Sequence, residues 1–249
     1  MYITEERRCS AIEGVGIQYI PGHDEKFIDY IVERYLPEAG NIVDLGGGGF
    51  RFAIPVSLTG RNVTIVDIDS DGLDLPSIVE RINQNGKMFI DLKRIQNLIK
   101  INVQDIFQFL KMTPENYDLI SAFRVLHFLS PIQMDEIFSL MTQKLNPEGV
   151  LAISSITLFD RSKSNDYNEF FMNSSVVDQG NFLYRKFYDN TEASRIRQKQ
   201  NLPQYLHFID NQFIGSMSSK YGLEVVESDV PSTRVVNGYV LKKGARILK

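Results

Sequence analysis

Apolar residues along this chain fall into two alternating patterns. From His23 or Asp24 to Leu36 they recur with helical spacing, up to Pro37. After that helix, short apolar runs alternate with segments of helical composition, and each run predicts a buried strand. The predicted strands are 41–45, 63–67, 98–102, 117–122, 150–156, 223–228 and 235–242.

The segments between these strands predict helices. Ser130 and Pro131 supply an N-cap and a first-turn proline for a helix expected to bury Ile132, Ile137 and Phe138. The other predicted helices are 51–59, 75–85, 91–96 and 204–221. Strands that alternate with helices through short links predict an α/β fold, with a parallel sheet covered on both faces.

Composition and charge narrow the class of protein. The 249 residues are 43% hydrophobic and 23% charged, which is typical of one soluble globular domain. A net charge of −4 offers no overall basic field for nucleic acid. Cys9 is the single cysteine, so no intrachain disulfide forms and a reducing compartment is expected. The N-terminus lacks an apolar run and no stretch is long enough to cross a bilayer, so we expect a cytoplasmic protein.

Four consecutive glycines stand at the end of the first predicted strand. The stretch Asn41–Phe50 reads NIVDLGGGGF, so an apolar strand runs into Asp44 and then into Gly46–Gly49. Glycines let a backbone approach a ligand closely at the carboxyl end of a parallel strand. The next strand ends on Asp67, about 20 residues further on, where an acid accepts hydrogen bonds from ribose hydroxyls. Together these features predict a nucleotide-like ligand.

The order of these motifs resembles the class I S-adenosylmethionine-dependent methyltransferases, over roughly 41–243. An acid followed by spaced glycines is matched by Asp44, Gly46 and Gly48. The motifs that follow are VDID at the end of the second strand, NVQDI at 102–106 and YDLI in the fourth strand. VLH follows the fourth strand, and LNPEG precedes the fifth. The resemblance implies a Rossmann-like doubly wound sheet of seven mostly parallel strands, with an antiparallel last strand and a helical cap insert.

Two positions depart from the family pattern. Phe50 stands where the family has its third glycine, and its Cβ predicts an αR or β conformation rather than a positive φ. Asp74 lies in a DLP segment that resembles one branch of O-methyltransferases, where the acid of DLP serves the ribose. Asp67 is preferred for that role because it ends a strand directly, with Asp69 as possible support.

The resemblance implies a set of contacts to the cofactor, S-adenosylmethionine. Asp44 is expected to serve its amino group, Asp67 its ribose and Asp105 its adenine amino group. Asp44 as a loop brace and Asp105 as a helix N-cap remain open alternatives. Ile68 and Ile106 are expected to sandwich the adenine. The full set of candidate residues is Asp44, Gly46, Gly47, Gly48, Asp67, Ile68, Asp105, Ile106, Phe123 and Tyr19.

His127 is the candidate catalytic residue. It follows the fourth strand, where a histidine in the related O-methyltransferases removes the proton of the substrate hydroxyl. Histidine suits this task because its ordinary pKa lies near neutrality. A histidine that only braces the site is an equal alternative.

Candidate acceptor contacts follow the fourth strand and fill the insert after the fifth. Arg124 is suited to hold a carboxylate or phosphate, and the insert combines aromatic rings with basic side chains. The candidates are Arg124, Arg161, Tyr167, Phe171, Tyr184 and His207. The segment Ser121–Arg124 lacks the Pro-Pro turn of amino methylation and the acids of a magnesium site. A small acceptor and no metal are therefore expected.

The sequence predicts one domain, 1–249, that methylates oxygen or nitrogen of a small organic molecule. Its parts are a helical lid (1–40), a cofactor half (41–156), a cap insert (157–203) and a closing helix with two strands (204–249). Alternatives are a protein or RNA methyltransferase, or a regulatory domain that binds the cofactor without transfer. No membrane or nucleic-acid partner is expected, and the oligomeric state is left open.

Overall fold

The computed structural model describes residues 25–84, 89–156, 174–179, 182–187, 205–233 and 236–244. The strands are β1 (Ile42–Leu45), β2 (Val63–Asp67), β3 (Ile99–Val103), β4 (Tyr117–Phe123), β5 (Leu145–Ile156), β6 (Ser174–Gln179), β7 (Phe182–Phe187), β8 (Tyr205–Phe208), β9 (Leu223–Thr233) and β10 (Val236–Lys243). The helices are α1 (Glu25–Arg34), α2 (Ala53–Leu58), α3 (Leu75–Gln84), α4 (Leu92–Ile95), α5 (Ile106–Met112), α6 (Pro131–Lys144) and α7 (Asn211–Tyr221).

Seven of these strands form one sheet in the order β3-β2-β1-β4-β5-β10-β9. Strands β1 to β5 are parallel to one another, and β10 runs antiparallel to both β5 and β9. The predicted fold class, a Rossmann-like sheet with an antiparallel last strand, is confirmed. Because β1 and β4 lie side by side, the carboxyl ends of β1, β2 and β4 meet at one edge of the sheet.

A hydrophobic core covers each face of the sheet. Helices α1 to α4 pack on one face, around rings such as Phe27, Phe52 and Phe123. Helices α5 to α7 pack on the other, around Phe138, Phe213 and Tyr239. Apolar runs in the central strands are buried on both faces, which is why they read as continuous rather than alternating.

Helix α6 begins as predicted but buries a different face. Ser130 Oγ accepts from the Gln133 N–H, and the Gln133 side chain accepts from the Ser130 N–H, which forms a capping box. The buried stripe is Met134, Ile137, Phe138 and Met141. The prediction that Ile132 is buried is wrong: its side chain is 81% exposed, because it lies outside this stripe in the first turn.

The described part of the predicted helical cap consists of strands. Strands β6, β7 and β8 form a separate antiparallel sheet, so the predicted helical structure is wrong at 174–179 and 182–187. The predicted helix from 204 also begins later, at Asn211, where Asp210 accepts from the Phe213 N–H as N-cap. The β-branched and aromatic residues of β6 and β7 favour an extended pairing.

Within the described ranges, no helix is both long and apolar enough to span a membrane.

Candidate functional site

The glycine loop, Gly46–Phe50, folds back on the end of β2. The Gly46 N–H donates to Val66 O at 2.7 Å, with φ of 67° at Gly46. A Cβ at Gly46 would lie 2.6 Å from Cγ2 of Val125, closer than real side chains approach. Glycine is therefore required at this position by both backbone conformation and space.

Asp67 lies directly beside this loop. Its Oδ2 accepts from the Gly48 N–H at 2.9 Å, and its Oδ1 accepts from the Asp69 N–H at 2.9 Å. Burial raises the pKa of Asp67, while these backbone donors lower it. A carboxylate has further lone pairs beyond these two bonds, so Asp67 retains acceptor capacity toward a ligand.

Asp74, the alternative acid for the ribose, is exposed and accepts hydrogen bonds from a helix instead of from the glycine loop. Its carboxylate accepts from the hydroxyl and the N–H of Ser77 at the start of α3, and these bonds lower its pKa. It acts there as a helix-start acceptor. The structure therefore places Asp67 at the glycine loop and Asp74 on the surface.

Phe50 does not adopt the predicted conformation. Its φ is 60°, in the left-handed region, so the expectation of an αR or β conformation is wrong. The Phe50 N–H donates to Gly47 O at 3.0 Å and the ring is fully buried. A left-handed residue costs about 1–2 kcal/mol, whereas burying a phenylalanine contributes roughly 1.5–3 kcal/mol. Core packing thus offsets the backbone strain.

Asp44 is a buried carboxyl group at the end of β1. It pairs in register with Ser121 of β4, whose hydroxyl donates to Asp44 Oδ1 at 2.7 Å. Burial raises the pKa of Asp44 to about 7, and the Ser121 hydrogen bond opposes that shift. Asp44 is therefore close to half-ionised at neutral pH.

A small pocket joins Asp44 to the glycine loop. The predicted contacts Asp44, Gly46, Gly47, Gly48 and Phe123 all line it. The Phe123 ring packs edge-on against Phe27 and Phe52, with centroids 5.5 and 5.2 Å away. Ile28, Arg51 and Phe52 complete the lining. Sequence reasoning missed Arg51, although its place directly after the glycine loop was the available signal.

The expected adenine side lies at the ends of β2 and β3. Ile68 is 71% exposed directly after Asp67, whereas Ile106 is buried. Asp105 Oδ1 accepts from the N–H groups of Phe107 and Gln108, each at 3.0 Å, so Asp105 is the N-cap of α5. The N-cap alternative for Asp105 is thus observed. Both bonds use the same oxygen, so the second oxygen of Asp105 retains acceptor capacity toward a ligand.

Arg124, His127 and His207 form a second group, which we call the imidazole group. Arg124 has φ of 56° at the end of β4, and its N–H donates to Ser154 O. His127 lies in the 3-10 turn Leu126–Phe128, against which β8 packs. All three side chains are buried.

Burial controls the protonation of both histidines. It lowers the pKa of His127 to about 3, with a further contribution from the charge of Arg124, and lowers that of His207 to about 4. His127 Nδ1 has no hydrogen-bond partner among the described residues. The His207 ring packs edge-on against Phe213 at 4.7 Å. Both imidazoles are therefore neutral at pH 7.

Of the remaining predicted site residues, the structure describes only Tyr184. Tyr19, Arg161, Tyr167 and Phe171 lie outside the described residues. Tyr184 lies in β7, in register with His207 of β8. Across the described ranges, no three His, Cys, Asp or Glu side chains gather as a metal site would require.

The seven-stranded sheet, the glycine loop and the acid at the end of β2 define a class of protein, the class I S-adenosylmethionine-dependent methyltransferases. A comparison with family models agrees: a methyltransferase-domain model matches residues 21–228. The chain belongs to this methyltransferase-domain family. The predicted family, enzyme class and cofactor are thereby confirmed at the level of the family.

Solved structures show the same fold. The chain is similar to a Burkholderia thailandensis 1,6-didemethyltoxoflavin-N1-methyltransferase, with TM-score 0.61, 13% identity and coverage of 90% of this chain and 80% of that one. It is also similar to the CcbJ methyltransferase of Streptomyces caelestis, with TM-score 0.59, 15% identity and coverage of 91% and 92%. At such identities the likeness concerns the fold alone.

A curated relative is closer in sequence but matches a shorter region. The carboxy-S-adenosyl-L-methionine synthase of Shewanella amazonensis is 31% identical over 146 residues, which are 57% of this chain and 55% of that protein. The chain thus spans about half the length of the curated relatives it matches.

Proposed function

We propose that this protein transfers a methyl group from S-adenosylmethionine to oxygen or nitrogen of a small organic molecule. One observation carries the proposal: the buried carboxyl of Asp44 and the buried imidazole group lie at the carboxyl ends of the neighbouring parallel strands β1 and β4. The first suits the cofactor and the second an acceptor. The family to which the chain belongs supports the transfer.

The residues at the loop fit the cofactor. Asp44 would accept from its ammonium group and Asp67 from its ribose hydroxyls, while exposed Ile68 offers an apolar surface to the adenine. Ile106, Asp105 and Phe123 remain proposed neighbours. When bound, S-adenosylmethionine supplies an electrophilic methyl group on a positively charged sulfur. The protein's part is to orient the acceptor and exclude water.

The acceptor side combines a permanent cation with neutral imidazoles. We place Arg124 and His207 there, with Tyr184 from the neighbouring strand β7. Arg161, Tyr167 and Phe171 remain proposed acceptor contacts from the sequence, and Tyr19 remains a proposed cofactor contact. The Burkholderia methyltransferase of the same fold was crystallised with the small molecule 1,6-didemethyltoxoflavin, so a small acceptor is compatible with this fold.

For His127, burial favours bracing over base catalysis. A pKa lowered to about 3 leaves the ring neutral but makes it a weak proton acceptor. Its turn packs against β8, which instead suits a residue that holds the 3-10 turn beside the three-stranded sheet β6-β7-β8. His127→Ala with an unchanged methylation rate at neutral pH would leave bracing as its role.

The curated relatives favour a second candidate activity, formation of a carboxylated derivative of S-adenosylmethionine. In that case the new chemical group stays on the cofactor instead of moving to an acceptor. Protein or RNA methylation, or binding without transfer, are the further alternatives. A single domain over 1–249 and a cytoplasmic location also remain proposals.

Binding and product analysis test the proposal together. Calorimetry is expected to show S-adenosylmethionine and S-adenosylhomocysteine binding to the wild-type protein. Asp67→Ala should weaken both by roughly 30- to 150-fold, because a hydrogen-bonded charged group contributes about 2–3 kcal/mol. Asp74→Ala is the control and should leave affinity unchanged. The reverse ranking of the two variants would reassign the ribose acid.

Mass spectrometry then identifies the reaction. A panel of small hydroxyl- and amine-bearing acceptors should yield a methylated product together with S-adenosylhomocysteine. A carboxylated cofactor instead would establish the second candidate. No binding of either adenosyl ligand at millimolar concentration would reject the function altogether.

A further inference from the structure

Arg51 is a basic residue placed at the cofactor pocket by the unusual conformation of the glycine loop. The residues on either side of it, Phe50 and Phe52, are both buried in the core. Left-handed Phe50 turns the chain so that its ring enters the core, and Arg51 then lines the pocket, half-buried. Two anchored rings therefore hold the backbone that carries the guanidinium.

Arg51 and Asp44 line the same pocket with opposite charges. The two groups interact, because the charge of Arg51 lowers the pKa of Asp44 against the effect of burial. The ammonium group and the carboxylate of an α-amino acid are attached to the same carbon atom. One acid and one guanidinium in a small pocket match that charge pair.

Backbone donors of the loop are already committed. The N–H groups of Gly46, Gly47, Gly49 and Phe50 donate to backbone carbonyl groups of the protein. The N–H of Gly48 donates to the carboxylate of Asp67. A ligand carboxylate at this loop therefore needs a side-chain donor. Among the described residues that line the pocket, Arg51 is the one with such a donor.

We propose that Arg51 binds the carboxylate of the amino-acid end of S-adenosylmethionine, while Asp44 binds its ammonium group. The assignment rests on the proposed function and deepens it. It makes Arg51 a specificity-determining residue, which distinguishes the intact cofactor from adenosyl compounds that lack the carboxylate. A guanidinium suits the role because it binds a carboxylate through two parallel hydrogen bonds.

Three ligands separate this role from simple bracing of the loop. S-adenosylmethionine carries the carboxylate, decarboxylated S-adenosylmethionine retains only the ammonium, and 5′-methylthioadenosine lacks both. In calorimetry, Arg51→Gln should weaken S-adenosylmethionine by roughly 10- to 100-fold, as expected for a lost charged hydrogen bond. Binding of 5′-methylthioadenosine should stay unchanged. Decarboxylated S-adenosylmethionine should lose much less affinity than S-adenosylmethionine, because loss of Arg51 acts on it only through the pKa of Asp44. The matched control is Arg94→Gln, an exposed arginine of α4 that should alter none of the three.

Each other outcome has a distinct meaning. Equal weakening of all three ligands by Arg51→Gln, in a variant with wild-type thermal stability, would show that Arg51 braces the loop and overturn the assignment. Unchanged S-adenosylmethionine affinity would overturn it as well, with the proposed function intact. A wild-type protein that binds none of the three would overturn both. Arg51→Lys, which keeps the charge but loses the paired hydrogen bonds, should recover part of the affinity.

Discussion

The glycine loop and the imidazole group lie at the same edge of the sheet but respond to burial in opposite directions. Burial raises the pKa of Asp44 to about 7 and lowers that of His127 to about 3. Both shifts favour the neutral form, since a charge loses solvation in the interior. At neutral pH, however, Asp44 is near the midpoint of its titration, whereas His127 is far from its own.

This difference separates a region that is sensitive to neutral pH from one that is not. On the loop side, Asp44 changes its charge within the pH range of a normal cell, so binding of a cation there is linked to release of a proton. The imidazole side keeps its two neutral rings until the solution is strongly acidic. Proton-linked effects on ligand binding near pH 7 should therefore come from the cofactor side.

Gly46 is the position where the two regions touch, and changing it should have the largest effect. Gly46→Ala forces a left-handed alanine and places its Cβ 2.6 Å from Val125, two residues before His127. Strain and overpacking together should destabilise the protein by about 2–4 kcal/mol. Affinity for S-adenosylmethionine should fall by roughly 100-fold. Chemical unfolding and calorimetry measure the two effects.

Gly215→Ala provides the control for Gly46→Ala. A Cβ at Gly215, in α7, would meet nothing within 4 Å. Because alanine is the better helix former, this variant should be more stable by about 0.5–1 kcal/mol. Wild-type affinity in Gly46→Ala would show that the loop tolerates a side chain and that the contact with Val125 is adaptable.

The pH dependence of cofactor binding should sharpen the contrast. With the pKa of Asp44 at about 7, binding an ammonium group below that pH requires loss of a proton. Affinity for S-adenosylmethionine should therefore fall by up to about tenfold per pH unit between about pH 7 and 5. Asp44→Asn should bind weakly at every pH and without this slope. A wild-type affinity that is flat across the range would place the proton elsewhere.

The pH dependence of stability should give smaller effects of opposite sign. Folded Asp44 keeps a proton that the unfolded acid loses above its ordinary pKa of 3.8, so acidification toward pH 4 stabilises the fold. His127 and His207 behave inversely, because the unfolded rings gain protons below their ordinary pKa of 6.5 while the folded rings stay neutral. Each group contributes about 1.4 kcal/mol per pH unit within its window.

Urea unfolding of two variants separates these contributions. Between about pH 6.5 and 5, Asp44→Asn should steepen the loss of stability on acidification, and His207→Gln should make it shallower. Equal slopes in both variants and the wild type would contradict the opposed shifts and remove the contrast between the two regions.

The fold was predictable wherever local pattern and burial agree. The positions of the strands in the large sheet followed from apolar runs joined by short helices, and Ser130 and Pro131 marked the start of α6. Ile132 was misplaced because one apolar residue in a first turn carries no periodic information. Strands β6 and β7 were missed because their aromatic residues were interpreted as part of a helical cap. The Gly180-Asn181 pair between them is a hairpin signal.

The site was predictable in its positions but not in its environments. Asp44, Asp67 and the glycines stand where strand ends and spacing put them. No local pattern reveals that Asp105 uses one oxygen on two N–H groups, or that β8 covers the turn of His127. These facts depend on contacts between distant segments. The protonation state and the accessibility of these side chains can therefore be judged only from the folded structure.

Phe50 ties the rigidity of the loop to the integrity of the core. Its ring lies inside, and its own N–H and that of Gly49 are bonded to other backbone groups. The loop cannot open without withdrawing a buried ring, so local opening there approaches global unfolding. We expect amide hydrogens at 47–50 to exchange slowly even without ligand. The entropy of ordering the loop is then lost during folding and not again on binding.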